Sequence, residues 1–416
     1  MSISRAAVGG TLLLAAAALQ NGATAARIDQ DDRRDRERFL YVWAGDQARY
    51  APDFLAVVDF DDRSDDYGRV ITTTPLPFPG AASNEPHHVG LSRDGRILAA
   101  GGLLSVLSGQ PEIFFFDVTN PRRPQFLSRA DPPQSAITDE FHALPGGGFL
   151  VTMMGGPSGH APGRVVEFDQ RLQVVAEHPV NPPEDGFNPH GISVRPELNL
   201  MVTSDFICPS TTLHVMPGDL DLRGSVRVWS LRDRRILRTV EIPGAGGTID
   251  VKLIPGDPRG RAYTAGMLDD KLYLVNTRDG VATPVFDFAS IAPGGWPQLL
   301  RMTEDGTRLF VTMNVAGLVA MLDTSNPRYP RLLSTLNLGP DSGPHYLALT
   351  HDEQRLVVSD YFLDEDDFGK VHRDGDRKVH VARVLRNRLV LDRRFDLDFN
   401  TAFETGPARP HGLTFK

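Results

Sequence analysis

Five of the twelve histidines in this 416-residue chain open the same short apolar pattern. They stand in Pro86-His87-His88, Glu140-Phe-His142, Pro189-His190-Gly, Pro344-His345-Tyr and Pro410-His411-Gly. Two positions after these histidines come Val89, Leu144, Ile192, Leu347 and Leu413, and four positions after all but His142 come Leu91, Val194, Leu349 and Phe415. An acidic turn residue follows in three copies, at Asp94, Glu197 and Asp352. Copies of one strand keep their alternation and their turn, so the five imidazoles belong to one structural position. Imidazole is the commonest protein ligand for copper, iron and zinc, and neutral imidazoles gathered at one place predict a mononuclear metal centre.

An element that gathers them must repeat. The same template finds two further copies between His190 and His345, around Asp250 and Gln298, which makes seven copies. Their spacing of roughly 50 residues is the length of a four-stranded propeller blade. A second apolar strand follows each copy, as in Gly-Phe-Leu-Val-Thr-Met and Arg-Leu-Phe-Val-Thr-Met, and a third ends in an Asp or Asn turn, as at Asp117, Asp169, Asp279 and Asp323. Short β-branched and aromatic runs between Asp, Asn, Gly and Pro are strands and hairpin turns. The predicted fold is an all-β, seven-bladed β-propeller. Its N-terminal strands lack a first strand, which the terminal Pro410-His411-Gly-Leu-Thr-Phe supplies, so that the C-terminal strand completes the N-terminal blade and closes the ring. First strands line the channel, and the expected ring reads His411, His87, His142, His190, Asp250, Gln298, His345.

The candidate metal ligands are therefore His87, His88, His142, His190, His345 and His411. Strict alternation would turn His88 away from the channel, and a bulge would bring it back. Glu85, Glu140 and Arg409 lie beside ring positions, and with Asp250 and Gln298 they are candidates to orient imidazoles or to contact substrate. His160, His178, His214, His351, His372 and His380 fall outside the register and are expected at the surface. The run Asp364 to Asp367 lacks the alternating ligand spacing of a calcium loop and reads as a solvated loop near the channel mouth. The one cysteine, Cys208, allows no internal disulfide and is expected to pack as a small apolar residue.

The composition, 41% hydrophobic and 23% charged with 39 Gly and 32 Pro, is that of a large all-β soluble protein, and a net charge of −9 without a basic stripe argues against nucleic acid as a partner. Near the N-terminus, Arg5 precedes a run rich in Ala and Leu that ends at Ala23-Thr24-Ala25. That pattern predicts a Sec-type signal peptide over residues 1–25, a single propeller domain over 26–416 without a membrane span, and a periplasmic or secreted protein.

Taken as an ordered set, Glu85-Pro-His87-His88, Phe141-His142, Asn188-Pro-His190, Gly343-Pro344-His345 and Gly406-Pro-Ala-Arg-Pro-His411 resemble the selenium-binding protein and methanethiol oxidase family. The resemblance spans most of the chain after residue 25. It implies a copper-dependent periplasmic oxidase that turns methanethiol, oxygen and water into formaldehyde, hydrogen sulfide and hydrogen peroxide, with a small thiol and O2 as partners. No cysteine follows the His-His pair here, where better-known family members carry them. Two other readings of the histidine ring stay open: a non-haem iron oxygenase of the carotenoid-cleaving type, and a non-catalytic metal-binding or scaffold propeller.

Overall fold

The computed structural model describes residues 37–416 apart from 80, 184–185, 212–219 and 361–374. The expected signal peptide, His214, His372 and the acidic run from Asp364 to Asp367 lie outside the described residues. The chain folds into seven antiparallel sheets. Blade 2 is representative, with Pro86–Leu91, Ile97–Gly102, Ile113–Asp117 and Gln125–Ala130 running from the axis outwards. The innermost strands of blades 3 to 7 are Ala136–Ala143, Pro189–Arg195, Thr248–Leu253, Pro297–Met302 and Pro344–Leu349. In blade 1 the innermost strand is the C-terminal Ala408–Phe415, paired antiparallel with Phe39–Asp46 through Leu40↔Phe415, Val42↔Leu413 and Ala44↔Pro410. Innermost strands of neighbouring blades touch all the way round, and the last touches the first. The expected ring closure is present.

Burial follows from where a strand sits in its blade. The second strands have a neighbouring blade on each face, so Phe149–Gly155 and Arg355–Asp360 are buried along their whole length and read as continuous runs. The outermost Gln125–Ala130 alternates between exposed and half-buried. The core is packed between blades. Tyr41, Trp43, Leu55 and Val57 of blade 1 meet Leu98, Ala100, Phe114 and Phe116 of blade 2. Trp43 donates its indole N–H to Gly101 O at 2.8 Å, which satisfies its one polar atom inside that layer.

Every innermost strand breaks register at the same point. In blade 2 the pairs Pro86↔Gly102 and Val89↔Ala100 leave His87 and His88 bulged between them. The same shift isolates Asp139-Glu140, His190-Gly191, Ile249-Asp250 and Gln298-Leu299, and the shifts in blades 7 and 1 fall at His345-Tyr346 and His411-Gly412. A bulge aims two consecutive residues inward, where a regular strand would aim one. Two residues before the first bulge position, Glu85, Ile137, Trp296 and Gly247 all take a left-handed φ, of 53°, 68°, 57° and 101°. Two of the expected ring positions change as a result. In blade 3 the position of His87 belongs to Asp139, three residues ahead of His142. In blade 5 it belongs to Ile249, while Asp250 takes the position of His88. The strand of blade 3 starts early relative to its histidine, so alignment on imidazoles slips the register.

Candidate metal centre

A row of hydroxyls on the second strands fixes the bulges. Thr152 Oγ1 accepts the N–H of Glu140 at 2.9 Å and donates to His190 O of the next blade. Ser204 Oγ accepts from Gly191 N at 3.1 Å and donates to Ile249 O at 2.8 Å. Thr312 Oγ1 accepts from Leu299 N at 3.1 Å and donates to His345 O at 3.0 Å. Ser359 Oγ donates to His411 O at 2.5 Å. In blades 3, 4 and 6 one hydroxyl thus satisfies a freed backbone group of the bulge and ties it to the next blade, and Ser359 makes the second of these bonds from blade 7 to blade 1. Glycine at the second bulge position has a reason too: a Cβ at Gly191 would lie 2.6 Å from Asp250 Oδ1, and one at Gly412 would lie 2.4 Å from His87 O.

The first bulge positions of blades 1, 2 and 7, together with His88, form one buried cluster. One ring nitrogen each from His87, His88, His345 and His411 lie within 4.8 Å of one another. The rings of His87 and His88 stack at 4.3 Å, His411 stands edge-on to His87 at 4.4 Å, and His88 Nε2 faces His345 Nε2 at 3.5 Å. Three of the imidazoles have an acceptor on the far side. His87 Nδ1 lies 3.2 Å from Thr138 O, His88 Nδ1 lies 3.0 Å from Asp139 Oδ1, and His345 Nδ1 lies 2.6 Å from Gln298 Oε1. For His87 and His345 these hydrogen bonds place the proton on Nδ1 and leave Nε2 as the ligating nitrogen, the tautomer a metal-bound imidazole needs, while Asp139 Oδ1 lies close to His88 Nδ1 without hydrogen-bond geometry.

Asp139 binds the cluster to a fifth imidazole. Its Oδ2 lies 3.1 Å from His190 Nε2 and 3.7 Å from His87 Nδ1, so this fully buried carboxyl touches three histidines. Burial pushes it up to about 7, against the pull of His87. Burial also takes His88 down to about 3 and holds His87, His190, His345 and His411 well below the ordinary imidazole value. All five are neutral at pH 7, which is the ligating form.

His142 is not brought into this cluster. It lies half-buried further along its strand, where burial and then Arg93 lower its pKa to about 4. Glu85 is buried in ion pairs with Arg409 at 2.7 Å and Arg49 at 3.4 Å at the entry to blade 2. Glu140 and Asp250, both second bulge residues, flank Lys252 Nζ at 2.7 and 2.8 Å. Burial opposes the lysine's charge, yet the two carboxylates outweigh it and hold Lys252 protonated. With His88, Leu299, Leu300, Arg301, Tyr346 and Leu347 this trio lines a cavity of about 30 Å³. Cys208 is buried, its Sγ 3.4 Å from Ser210 Oγ. His160 and His351 are exposed, as expected, but His178 and His380 are largely enclosed, the latter inside blade 7.

Sequence reasoning missed Asp139. The signal for it was the hydroxyl row, which stands fourteen residues after His190, Gln298 and His345, thirteen after Asp139, and only ten after His142.

Known proteins resemble this chain along most of its length. It is 25% identical over 397 residues to a methanethiol oxidase of a Hyphomicrobium species, covering 88% of this chain and 87% of that protein. It is 25% identical over 438 residues to selenium-binding protein 2 of Mus musculus, covering 88% and 89%. The solved structure of a hypothetical selenium-binding protein from Sulfolobus tokodaii superposes with a TM-score of 0.78 at 18% identity, covering 91% of this chain and 94% of the other. Residues 22–416 match the family described as 56kDa selenium binding protein, and the chain belongs to that family.

Proposed function

We propose that this chain is an exported, copper-dependent oxidase of a small thiol, acting on methanethiol with oxygen and water to give formaldehyde, hydrogen sulfide and hydrogen peroxide. The observation that carries this reading is the convergence of four buried imidazoles, each with a ring nitrogen within 4.8 Å of the other three, two of them held from behind by hydrogen bonds at Nδ1. His87, His88, His345 and His411 would hold the metal, with Asp139 keeping His88 and His190 in place. All-nitrogen donors of this kind suit copper, which when bound accepts a soft thiolate and exchanges electrons with oxygen. The relatives named methanethiol oxidase support the choice of reaction, and the apolar run before Ala25 supports export.

The chain's own residues set the reactant's size and handle its proton. The cavity beside His88, at about 30 Å³, has room for a molecule of two or three heavy atoms, since one water needs roughly 10–15 Å³ on this measure. Leu299, Leu300, Leu347 and Tyr346 give it its apolar wall. Glu140, on the same wall, is pushed up to about 7 by burial against the pull of Lys252, so its carboxylate is poised to take up a thiol proton near neutral pH. Lys252 balances the charge of Glu140 and Asp250 while that happens.

The test is elemental analysis of the chain purified from a periplasmic fraction, followed by oxygen uptake with methanethiol and mass spectrometry of the N-terminus. Near-stoichiometric copper, methanethiol-dependent oxygen consumption and a terminus after Ala25 are expected. Bound iron without thiol turnover would replace this reading with the oxygenase one, and metal held without any oxygen consumption would replace it with a binding propeller.

A further inference from the structure

Blade 7 carries a second group of ligand-type side chains that shares no residue with the axial cluster. Asp360 ends the blade's second strand, Arg355–Asp360, His380 lies in its third, Lys378–Leu385, and Asp376 stands just ahead of that third strand. One ligand atom from each lies within 4.8 Å of the other two. His380 Nε2 is 2.9 Å from Asp360 Oδ2 and 3.8 Å from Asp376 Oδ2. These separations bracket the edge of roughly 3.3 Å that a tetrahedron with bonds of about 2.0–2.1 Å requires.

An ordinary buried ion pair does not account for this group. It holds two carboxyls against one imidazole, and among the described residues neither Asp360 nor Asp376 has an ion pair with a lysine or arginine. The Asp360 side chain is fully buried, and its Oδ1 has no hydrogen-bond partner. A salt bridge to His380 satisfies Oδ2 alone and leaves the other oxygen stranded, at a cost comparable to a lost hydrogen bond. Asp360 and Asp376 also hydrogen-bond each other, so a shared proton can take up the excess of acid, but only a cation facing all three groups would satisfy Oδ1 as well.

We propose that Asp360, Asp376 and His380 bind a divalent first-row cation, with Zn2+ the best-matched occupant. One imidazole and two carboxylates form a borderline donor set suited to Zn2+ and unlike the all-imidazole axis. Three protein donors leave a fourth position for water. The site ties the end of the second strand of blade 7 to the start of the third, beside Pro344, which pairs with Asp360 and immediately precedes His345.

The experiment titrates the metal-stripped full chain with Zn2+, removes free ion by gel filtration and counts equivalents by mass spectrometry. The wild type is expected to bind one equivalent more than His380→Gln. His345→Ala, which disturbs the axis, is expected to retain that equivalent. Asp376→Asn, at the less buried edge of the group, is expected to lose it with the fold unchanged by circular dichroism. Zn2+ uptake by folded His380→Gln and Asp376→Asn equal to that of the wild type overturns the proposal. So does a wild-type chain with copper on its axis that takes up no Zn2+ at all.

Discussion

Two arcs of the channel are built on one backbone device and carry opposite chemistry. Blades 7, 1 and 2 fill their bulges with His345, His411, His87 and His88, while blades 3 and 5 fill theirs with Asp139, Glu140 and Asp250, served by Lys252. Both arcs are buried. The imidazole arc meets the cost of burial by staying uncharged, since burial depresses each pKa far below neutrality. The acidic arc meets it by pairing, with one ammonium between two carboxylates. The propeller therefore supplies positions, two per blade, and side-chain identity alone decides whether a position becomes a ligand or a counter-ion.

The largest expected effect breaks the acidic arc. Lys252→Ala leaves Glu140 and Asp250 facing each other with no cation between them, and removing one partner of a buried pair costs about 3–5 kcal/mol. Glu140 keeps some solvent contact, which places the expected loss at the lower end, about 3 kcal/mol, read from urea midpoints. Adding Glu140→Gln and Asp250→Asn to Lys252→Met should recover most of it. His411→Ala strands no charge and should cost less stability while removing a ligand. A loss below about 1 kcal/mol in Lys252→Ala would mean that the trio behaves as a solvated surface pair and the contrast between arcs fails.

A smaller effect sharpens the border between the arcs. Asp139 belongs to the acidic arc by type and serves the imidazole arc by contact, touching His87, His88 and His190. Asp139→Asn should weaken metal binding by about 10–100-fold, the range for residues that orient ligating imidazoles. His142→Ala should leave it unchanged. Competition with a chromophoric chelator reads both, and the reverse order of effects would restore His142 to the site and remove Asp139.

The propeller, its seven repeats and its ring closure were legible because a period near 50 residues and a fixed alternation survive in one chain's sequence. Four of the clustered histidines, His87, His88, His345 and His411, were legible because the Pro-His step marks them. Blade 3 was not, because nothing in Thr138-Asp139-Glu140-Phe141-His142 distinguishes a carboxyl at the ring position from a histidine three residues later. A histidine-centred template prefers the wrong residue there. The bulge was foreseeable only as an alternative to strict alternation, since the hydrogen bonds from Thr152, Ser204, Thr312 and Ser359 that hold four of these strands act between strands and between blades. The Asp360, Asp376 and His380 group was invisible for a related reason: its members come from two strands and the residue just ahead of one of them, and their pairing is tertiary. A lone histidine on an outer strand reads as surface until the neighbouring strand is placed beside it.

A last contrast concerns how the bulge of blade 3 is held. Glu112 Oε2 accepts the N–H of Ile137 at 2.9 Å, pinning the left-handed residue that precedes Thr138 and Asp139. Burial pushes this carboxyl from its ordinary 4.5 up to about 8. Between those values the unfolded chain has already released the proton that the folded chain retains. Stability from this group is therefore complete below about pH 4.5 and is lost as pH rises towards 8, by at most about 1.4 kcal/mol per pH unit. Calorimetry should show the wild-type Tm declining between pH 5.5 and 8, with a shallower decline in Glu112→Gln, whose amide oxygen still accepts from Ile137 without titrating. Because Asp139 sits two residues on, the same variant should keep its metal affinity at pH 6 and at pH 8. Identical slopes in the two proteins would place the titrating group elsewhere, while a pH-dependent loss of metal in Glu112→Gln would show that the carboxyl's charge, rather than its hydrogen bond, sets the bulge that carries Asp139.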